Sequence, residues 1–311
     1  MVIKAPKLDH QIQIDEFNIQ VPWGHIACRW WGSKSLQPII CLHGWQDNAG
    51  TFDRLIPLLP THLSYLVIEF PGHGLSSPIP HGMIYTYSTF LYVLMFVIKK
   101  YNWKRVSLLG HSLGAMVSYT FASTFPDRCD MVISVDLIKP DTLWRDFALK
   151  FLIRDINNIY IADKRNQENS EPPSYTYDDL IKKRHSNKSF PMNIESLPFL
   201  MYRGARPSKS DPNKYYFSCD GRLKEFEIII PVDVYDDMAK RIVSPFCFIK
   251  AQQSLFPETE YLRIIENMQS NQSFELHRVE GGHHAHLDNP EAVAAVVSKF
   301  IDRYRPLDCK L

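Results

Sequence analysis

Gly110-His111-Ser112-Leu113-Gly114 is the segment of this chain with the clearest chemical content. A serine hydroxyl becomes a useful nucleophile when a sharp strand-to-helix turn presents it to a neighbouring base. The apolar run Arg105–Leu109 precedes the pentapeptide, and a helical pattern, AMVSYTFAST, follows it. Ser112 is therefore the candidate nucleophile, with Gly110 and Gly114 small enough to let strand and helix approach at the turn. The N–H of Leu113, at the helix start, is one candidate donor to a developing oxyanion. A second comes from His43-Gly44-Trp45, directly after the apolar run Pro38–Leu42. Trp45 N–H is that donor, the Trp45 indole lines a pocket, and the His43 side chain fixes the turn.

The base should come late, on a loop before the last helix. Gly282-His283-His284-Ala285-His286 lies between FELHRVEG and a terminal helical pattern. His283, first after the glycines, is the candidate base, with His284 as its rival and His286 as structural. No carboxylate or cysteine stands at metal-ligand spacing from this cluster, so neither a metal nor a cofactor is expected. The acid is the unusual member. The loop after Phe246–Ile249 carries Ser254 where a carboxylate is the usual choice, and a serine cannot balance the charge of an imidazolium. Asp136, at the end of Met131–Leu137, can supply that charge from the neighbouring strand, with Glu258 and Glu260 in reserve.

The elements that must hold these residues follow from the apolar runs. Pro38–Leu42, Tyr65–Phe70, Arg105–Leu109, Met131–Leu137 and Phe246–Ile249 read as strands buried on both faces, separated in several places by helical patterns such as Tyr87–Tyr101 and Ser112–Thr124. That alternation predicts a mostly parallel sheet with helices on both faces. The rhythm breaks between Lys139 and Arg241, where charge clusters and prolines concentrate around helical stretches such as LWRDFALKFLI. The expected organisation is a core over 1–138, a helical cap over 139–241 inserted after the Met131–Leu137 strand, and the rest of the core over 242–311. Asp163–Ser174 (DKRNQENSEPPS) reads as an unstructured linker inside the cap. Phe147, Phe151, Phe199 and Tyr202 either line an acyl pocket or pack the cap's own core.

Composition removes several function classes. With 35 basic and 34 acidic residues, the charge balance gives no reason to expect a nucleic acid or an anionic membrane as partner. The amino-terminal MVIKAPKLDHQIQ lacks the apolar stretch of a secretory signal. FLYVLMFVI (Phe90–Ile98) is too short to cross a bilayer and reads as a buried helix. The six cysteines show no paired spacing, and reduced packing thiols are expected. Cys309-Lys310-Leu311 resembles the Ser-Lys-Leu address read by the peroxisomal import receptor, so the expected location is the peroxisome, with the cytoplasm as the alternative.

His43-Gly44-Trp45-Gln46-Asp47-Asn48-Ala49-Gly50-Thr51-Phe52-Asp53-Arg54-Leu55-Ile56-Pro57, with Pro71-Gly72-His73-Gly74-Leu75-Ser76, the Ser112 elbow and Gly282-His283, resembles the serine hydrolase-like proteins of animals, the kraken-like α/β-hydrolases. The likeness covers 12–137 and 242–303 well and the cap loosely. It implies an α/β-hydrolase fold, an eight-stranded core with a helical cap after strand 6, and a Ser–acid–His site. Glu69 stands where relatives carry aspartate, a change expected to affect loop packing. The order Ser112, Asp136, Ser254, His283 is also similar to small bacterial esterases that use a serine, aspartate, serine and histidine quartet. The expected activity is hydrolysis of a small-molecule ester or acyl thioester through an acyl-serine. The serine at the usual acid position keeps open a second class, a non-catalytic binding protein of the same fold.

Overall fold

Each apolar run becomes a strand. The computed structural model describes residues 3–7, 12–139, 156–187, 190–224 and 231–306. β1 (Ile14–Val21) and β2 (Gly24–Trp31) form a hairpin, followed by β3 (Ile39–Leu42), β4 (Tyr65–Ile68), helix α1 (Tyr87–Lys100), β5 (Val106–His111), helix α2 (Leu113–Thr124) and β6 (Cys129–Val135). β7 (Ala205–Pro207) and β8 (Tyr215–Phe217) pair as a separate two-stranded ribbon; β9 (Phe246–Ala251) and β10 (Phe274–Val279) then return to the main sheet. The main sheet has eight strands in the order β1-β2-β4-β3-β5-β6-β9-β10. β2 runs antiparallel to both its neighbours, and every pairing from β4 to β10 is parallel.

The runs are apolar throughout because both faces of the sheet are covered. In β3, Ile40 and Leu42 join a core with α1 and α2, whereas Ile39 and Cys41 join the opposite core, closed by the helix Pro290–Tyr304. β4 divides in the same way, Leu66 and Ile68 against Tyr65 and Val67. The apolar segment expected to be a buried helix lies in α1, with Phe90, Val93, Leu94, Val97 and Ile98 buried. Among the described residues no helix is long and apolar enough to cross a membrane. Cys28, Cys41, Cys129, Cys219 and Cys247 are all free thiols.

Between β6 and β9 the described residues add no strand to the main sheet. They form a helix over 156–167, the helices Tyr177–His185, Leu197–Gly204 and Val232–Met238, and the β7–β8 ribbon. Leu180, Met192, Leu197, Leu200 and Met201 make a small core of their own, which also takes in Leu287 from the loop after β10. The reading of Asp163–Ser174 as a linker is corrected. Its first residues continue the helix over 156–167, and its charges have partners: Asp163 lies 3.1 Å from Arg222, and Glu171 accepts from Ser208 at 2.8 Å. Those partners sit 37 or more residues away, beyond the reach of local composition. LWRDFALKFLI, Phe147, Phe151 and the tripeptide Cys309-Lys310-Leu311 lie outside the described residues.

Candidate active site

Four consecutive strands of the sheet, β5, β6, β9 and β10, end on the same edge. Their carboxyl ends carry Ser112, Asp136, Ser254 and His283 respectively. Parallel strands bring chain segments more than a hundred residues apart to one edge, the usual place for a site in an α/β sheet.

Ser112 follows β5 with φ 52° and ψ −116°, in the left-handed region that a non-glycine residue rarely adopts. The turn is tight because α2 starts at once. A β-carbon at Gly110 would come within 2.3 Å of Gly114 O, and one at Gly114 within 2.0 Å of Leu42 O, so both positions require glycine. Asp136 is strained in the same sense, with φ 66° at the end of β6. Its backbone N–H still donates to Ile249 O (2.8 Å), which places the carboxylate between β6 and β9.

The side chains form a continuous relay. His283 Nε2 lies 2.9 Å from Ser112 Oγ, and His283 Nδ1 lies 2.6 Å from Asp136 Oδ2. Ser254 Oγ donates to the same Oδ2 at 2.5 Å, and Ala251 N–H donates to Oδ1 at 3.2 Å. Because a carboxylate only accepts, His283 Nδ1 carries the proton and Nε2 is left to accept from Ser112. The sequence reading omitted one member. Lys250, 3% exposed, pairs its ammonium with Asp136 Oδ1. The available signal was a lysine directly following the buried run Phe246–Ile249, at a point where β9 continues to Ala251. Glu258, a reserve acid, is instead held by Arg278 near the surface.

Burial sets the electrostatics. It pushes the His283 imidazole below its ordinary value of 6.5; the Asp136 hydrogen bond opposes this and the His111 ring adds to it. For Asp136, burial favours the neutral acid, but His283 and Lys250 together outweigh it and hold the carboxyl below its usual range. Both shifts favour a neutral His283 beside an ionised Asp136.

His43 ties the flanking loops together as expected, donating from Nδ1 to Gly44 O (2.7 Å) and accepting Phe70 N–H at Nε2 (2.9 Å). Gly114 N–H donates to His43 O (3.1 Å), which docks the start of α2 on the loop bearing Trp45. Trp45 and Leu113, the two proposed oxyanion donors, line one cavity with Ser112 and His283. That cavity measures about 460 Å³, within the range of small-molecule sites. Its apolar wall combines Met116 and Leu137 with Phe190, Leu200, Met201 and Phe217. Phe199 and Tyr202 are not among its walls: Phe199 packs against the small core, and Tyr202 Oη donates to Asp53 at 2.8 Å. Glu69 organises loops, as expected, accepting Ala49 N–H (3.0 Å) and Leu75 N–H (2.7 Å). It also takes Arg203 of the helix Leu197–Gly204 at 2.6 Å, a tie that the sequence reading did not foresee.

The histidine cluster requires a correction as well. His286 is structural, bonded to Thr51 at 2.7 Å. Yet a carboxylate does approach the cluster: Asp47 Oδ2 lies 3.3 Å from His284 Nε2 and 3.6 Å from His111 Nδ1. Spacing along the chain could not reveal it, because Asp47 and His284 come from the loops after β3 and β10 and His111 is the last residue of β5.

Comparison with known proteins agrees with this architecture. Residues 37–290 match the family model described as the alpha/beta hydrolase fold. A "Probable serine hydrolase" from Drosophila melanogaster is 36% identical over 92% of this chain and 87% of its own length. The human "Serine hydrolase-like protein 2" is 32% identical over 96% of this chain and 97% of its own. Among solved structures, hypothetical protein PA1622 from Pseudomonas aeruginosa PAO1 superposes with a TM-score of 0.78 at 28% identity, covering 93% of this chain and 99% of its own.

Proposed function

Because the chain belongs to the α/β-hydrolase family, and within it to the serine hydrolase-like proteins, we propose that it hydrolyses carboxylic esters or acyl thioesters through an acyl-serine at Ser112. The observation that carries the reading is the unbroken relay from Ser112 Oγ through His283 to Asp136, at 2.9 and 2.6 Å.

Ser112 Oγ attacks the acyl carbon while His283 Nε2 takes its proton. The oxyanion that forms is met by the N–H groups of Leu113 and Trp45. Asp136 holds the imidazole in the tautomer that can accept, and balances the positive charge that appears on it. Ser254 orients the carboxylate through its hydrogen bond to Oδ2. The tetrahedral species collapses, and His283 returns the proton to the departing alcohol or thiol. Water then attacks the acyl-serine with His283 as base, and the carboxylic acid leaves. The apolar wall suits an aliphatic acyl group. The segment between β6 and β9 acts as the cap, since Phe190, Leu200, Met201 and Phe217 close the cavity from that side.

An activated fluorophosphonate tests the reading directly. It should label the wild type covalently, and Ser112→Ala should abolish the label. A wild type that takes no label, although folded, overturns the proposal in favour of a non-catalytic binding protein. Rates on esters and acyl-CoA thioesters of graded chain length would then define the acyl and leaving groups.

A further inference from the structure

A second constellation borders the same cavity. Asp47, His111 and His284 are all buried, and Asp47 Oδ2, His111 Nδ1 and His284 Nε2 lie within 4.8 Å of one another. Neither carboxylate oxygen of Asp47 receives a hydrogen bond of good geometry, although its side chain is fully enclosed. Among the described residues, the Arg184 guanidinium also approaches, 3.8 Å from Oδ1. A buried carboxylate in this condition is costly unless a positive charge compensates it.

The tautomer of His111 sharpens the point. Its Nε2 lies 2.9 Å from the carbonyl oxygen of His283, which can only accept, so Nε2 carries the hydrogen. With the hydrogen on Nε2, His111 Nδ1 is left 3.6 Å from Asp47 Oδ2 with no hydrogen-bond partner among the described residues. Glycine at position 44 keeps the backbone clear of both groups: a β-carbon there would stand 2.8 Å from His111 Nδ1 and 3.0 Å from Asp47 Oδ2. Two imidazole nitrogens and one carboxylate oxygen are the donor set of an open tetrahedral zinc-type site. With metal–ligand bonds of about 2.0–2.1 Å, tetrahedral ligands stand roughly 3.3 Å apart. The two separations from Asp47 Oδ2, 3.3 and 3.6 Å, are close to that. Gly44, Asp47, His111 and His284 all line the cavity, which gives an ion an entry path.

We propose that Asp47, His111 and His284 bind a divalent transition-metal cation of the zinc class, and that the bound cation slows acyl transfer at Ser112. The coupling is electrostatic. The rings of His111 and His284 stand 4.7 and 5.1 Å from that of His283, which must become positively charged in the transition state. A cation held by those rings opposes that charge.

The test uses chelator-treated full-length protein. Titration with Co²⁺ should give one equivalent bound, with a ligand-field absorption of tetrahedral type, and Zn²⁺ should displace it. His284→Gln removes one ligand, whereas Gly44→Ala keeps all three and sets a methyl group against His111 Nδ1 and Asp47 Oδ2; both should weaken Co²⁺ binding by at least about a hundredfold. Saturating Zn²⁺ should slow turnover of an activated ester by about tenfold or more in the wild type and leave His284→Gln unaffected. Absence of Co²⁺ binding to the wild type, or equal binding by both variants, overturns the site. Binding without slowing overturns the coupling to His283. The kinetic arm rests on the hydrolase reading and the Co²⁺ spectrum does not, so a protein inert towards every ester still reports on the metal.

Discussion

Asp136→Asn is the substitution whose consequence the geometry defines most closely. The carboxylate faces His283 Nδ1 at 2.6 Å and receives Ser254, Ala251 N–H and Lys250 on its remaining positions. An amide in its place removes the negative charge opposite the imidazolium. At about 4 Å between charge centres and an effective dielectric constant of about 20, that loss alone is worth about 4 kcal/mol, or close to a thousandfold in rate. The amide N–H₂ also donates towards Nδ1, which selects the tautomer unable to accept from Ser112; together the two effects approach the ~10⁴-fold loss found when a triad aspartate becomes asparagine. Ser254→Ala removes only one hydrogen bond to the carboxylate, worth about 1.5–3 kcal/mol at most, so its rate loss should be some ten- to a hundredfold. The assay is kcat/KM on an activated short-chain ester. Asp136→Asn also leaves buried Lys250 without its partner, at a cost of about 3–5 kcal/mol in stability. The double variant Asp136→Asn/Lys250→Met should recover the stability and not the rate. A folded Asp136→Asn enzyme within about tenfold of wild type, or one that outperforms Ser254→Ala, refutes the assignment of the acid.

Four further outcomes are expected. Lys250→Met removes a cation that competes with His283 for Asp136; the imidazolium is then better stabilised, and the acid limb of the pH–kcat/KM profile should move up by about one unit or less. In the wild type that limb should have its midpoint below 6.5, because His283 is pushed below its ordinary value and must be neutral to act as base; a midpoint above 6.5 contradicts the burial argument. Glu69→Gln deprives buried Arg203 of its closest carboxylate and should cost about 3 kcal/mol in chemical denaturation, with Glu16 at 2.7 Å limiting the loss. Acid should unfold the protein early. Burial pulls His43 down to about 4 and both His73 and His284 down to about 3. Groups depressed in the folded state favour it fully above 6.5, and that contribution drains away as pH falls towards the folded values. At about pH 4.5 each of the three costs about 2.5 kcal/mol, and their sum rivals a typical domain's whole stability. A thermal midpoint unchanged between about pH 8 and pH 4.5 would show that these rings are not buried and neutral.

Local order along the chain determined much of this protein. The apolar runs specify strands, since continuous Val, Ile and Leu without alternation suit a strand covered on both faces, and five of the eight strands of the main sheet follow from them. The elbow was legible because its constraint is local: a strand, a turn that admits only glycine at two positions, and a helix that starts at once. His283 was legible for a similar reason, as the first histidine on the loop before the terminal helix. Asp136 was legible as the carboxylate that meets His283 because Ser254 stands where a carboxylate is the usual choice. Tertiary structure decided what depends on neighbouring strand ends rather than neighbouring residues. The adjacency of β6 and β9 brings Lys250 to Asp136, a separation of 114 residues closed by one strand pairing. The loops after β3 and β10, with the last residue of β5 between them, bring Asp47 against His111 and His284, where spacing had indicated no carboxylate at all. The cavity wall was equally out of reach, passing over Phe199 and Tyr202 in favour of Leu200 and Met201 on the same helix. Which face of that helix meets the cavity depends on how it docks on the loop after β3, where Phe199 O closes over Gly50, and that docking is a property of the packed fold.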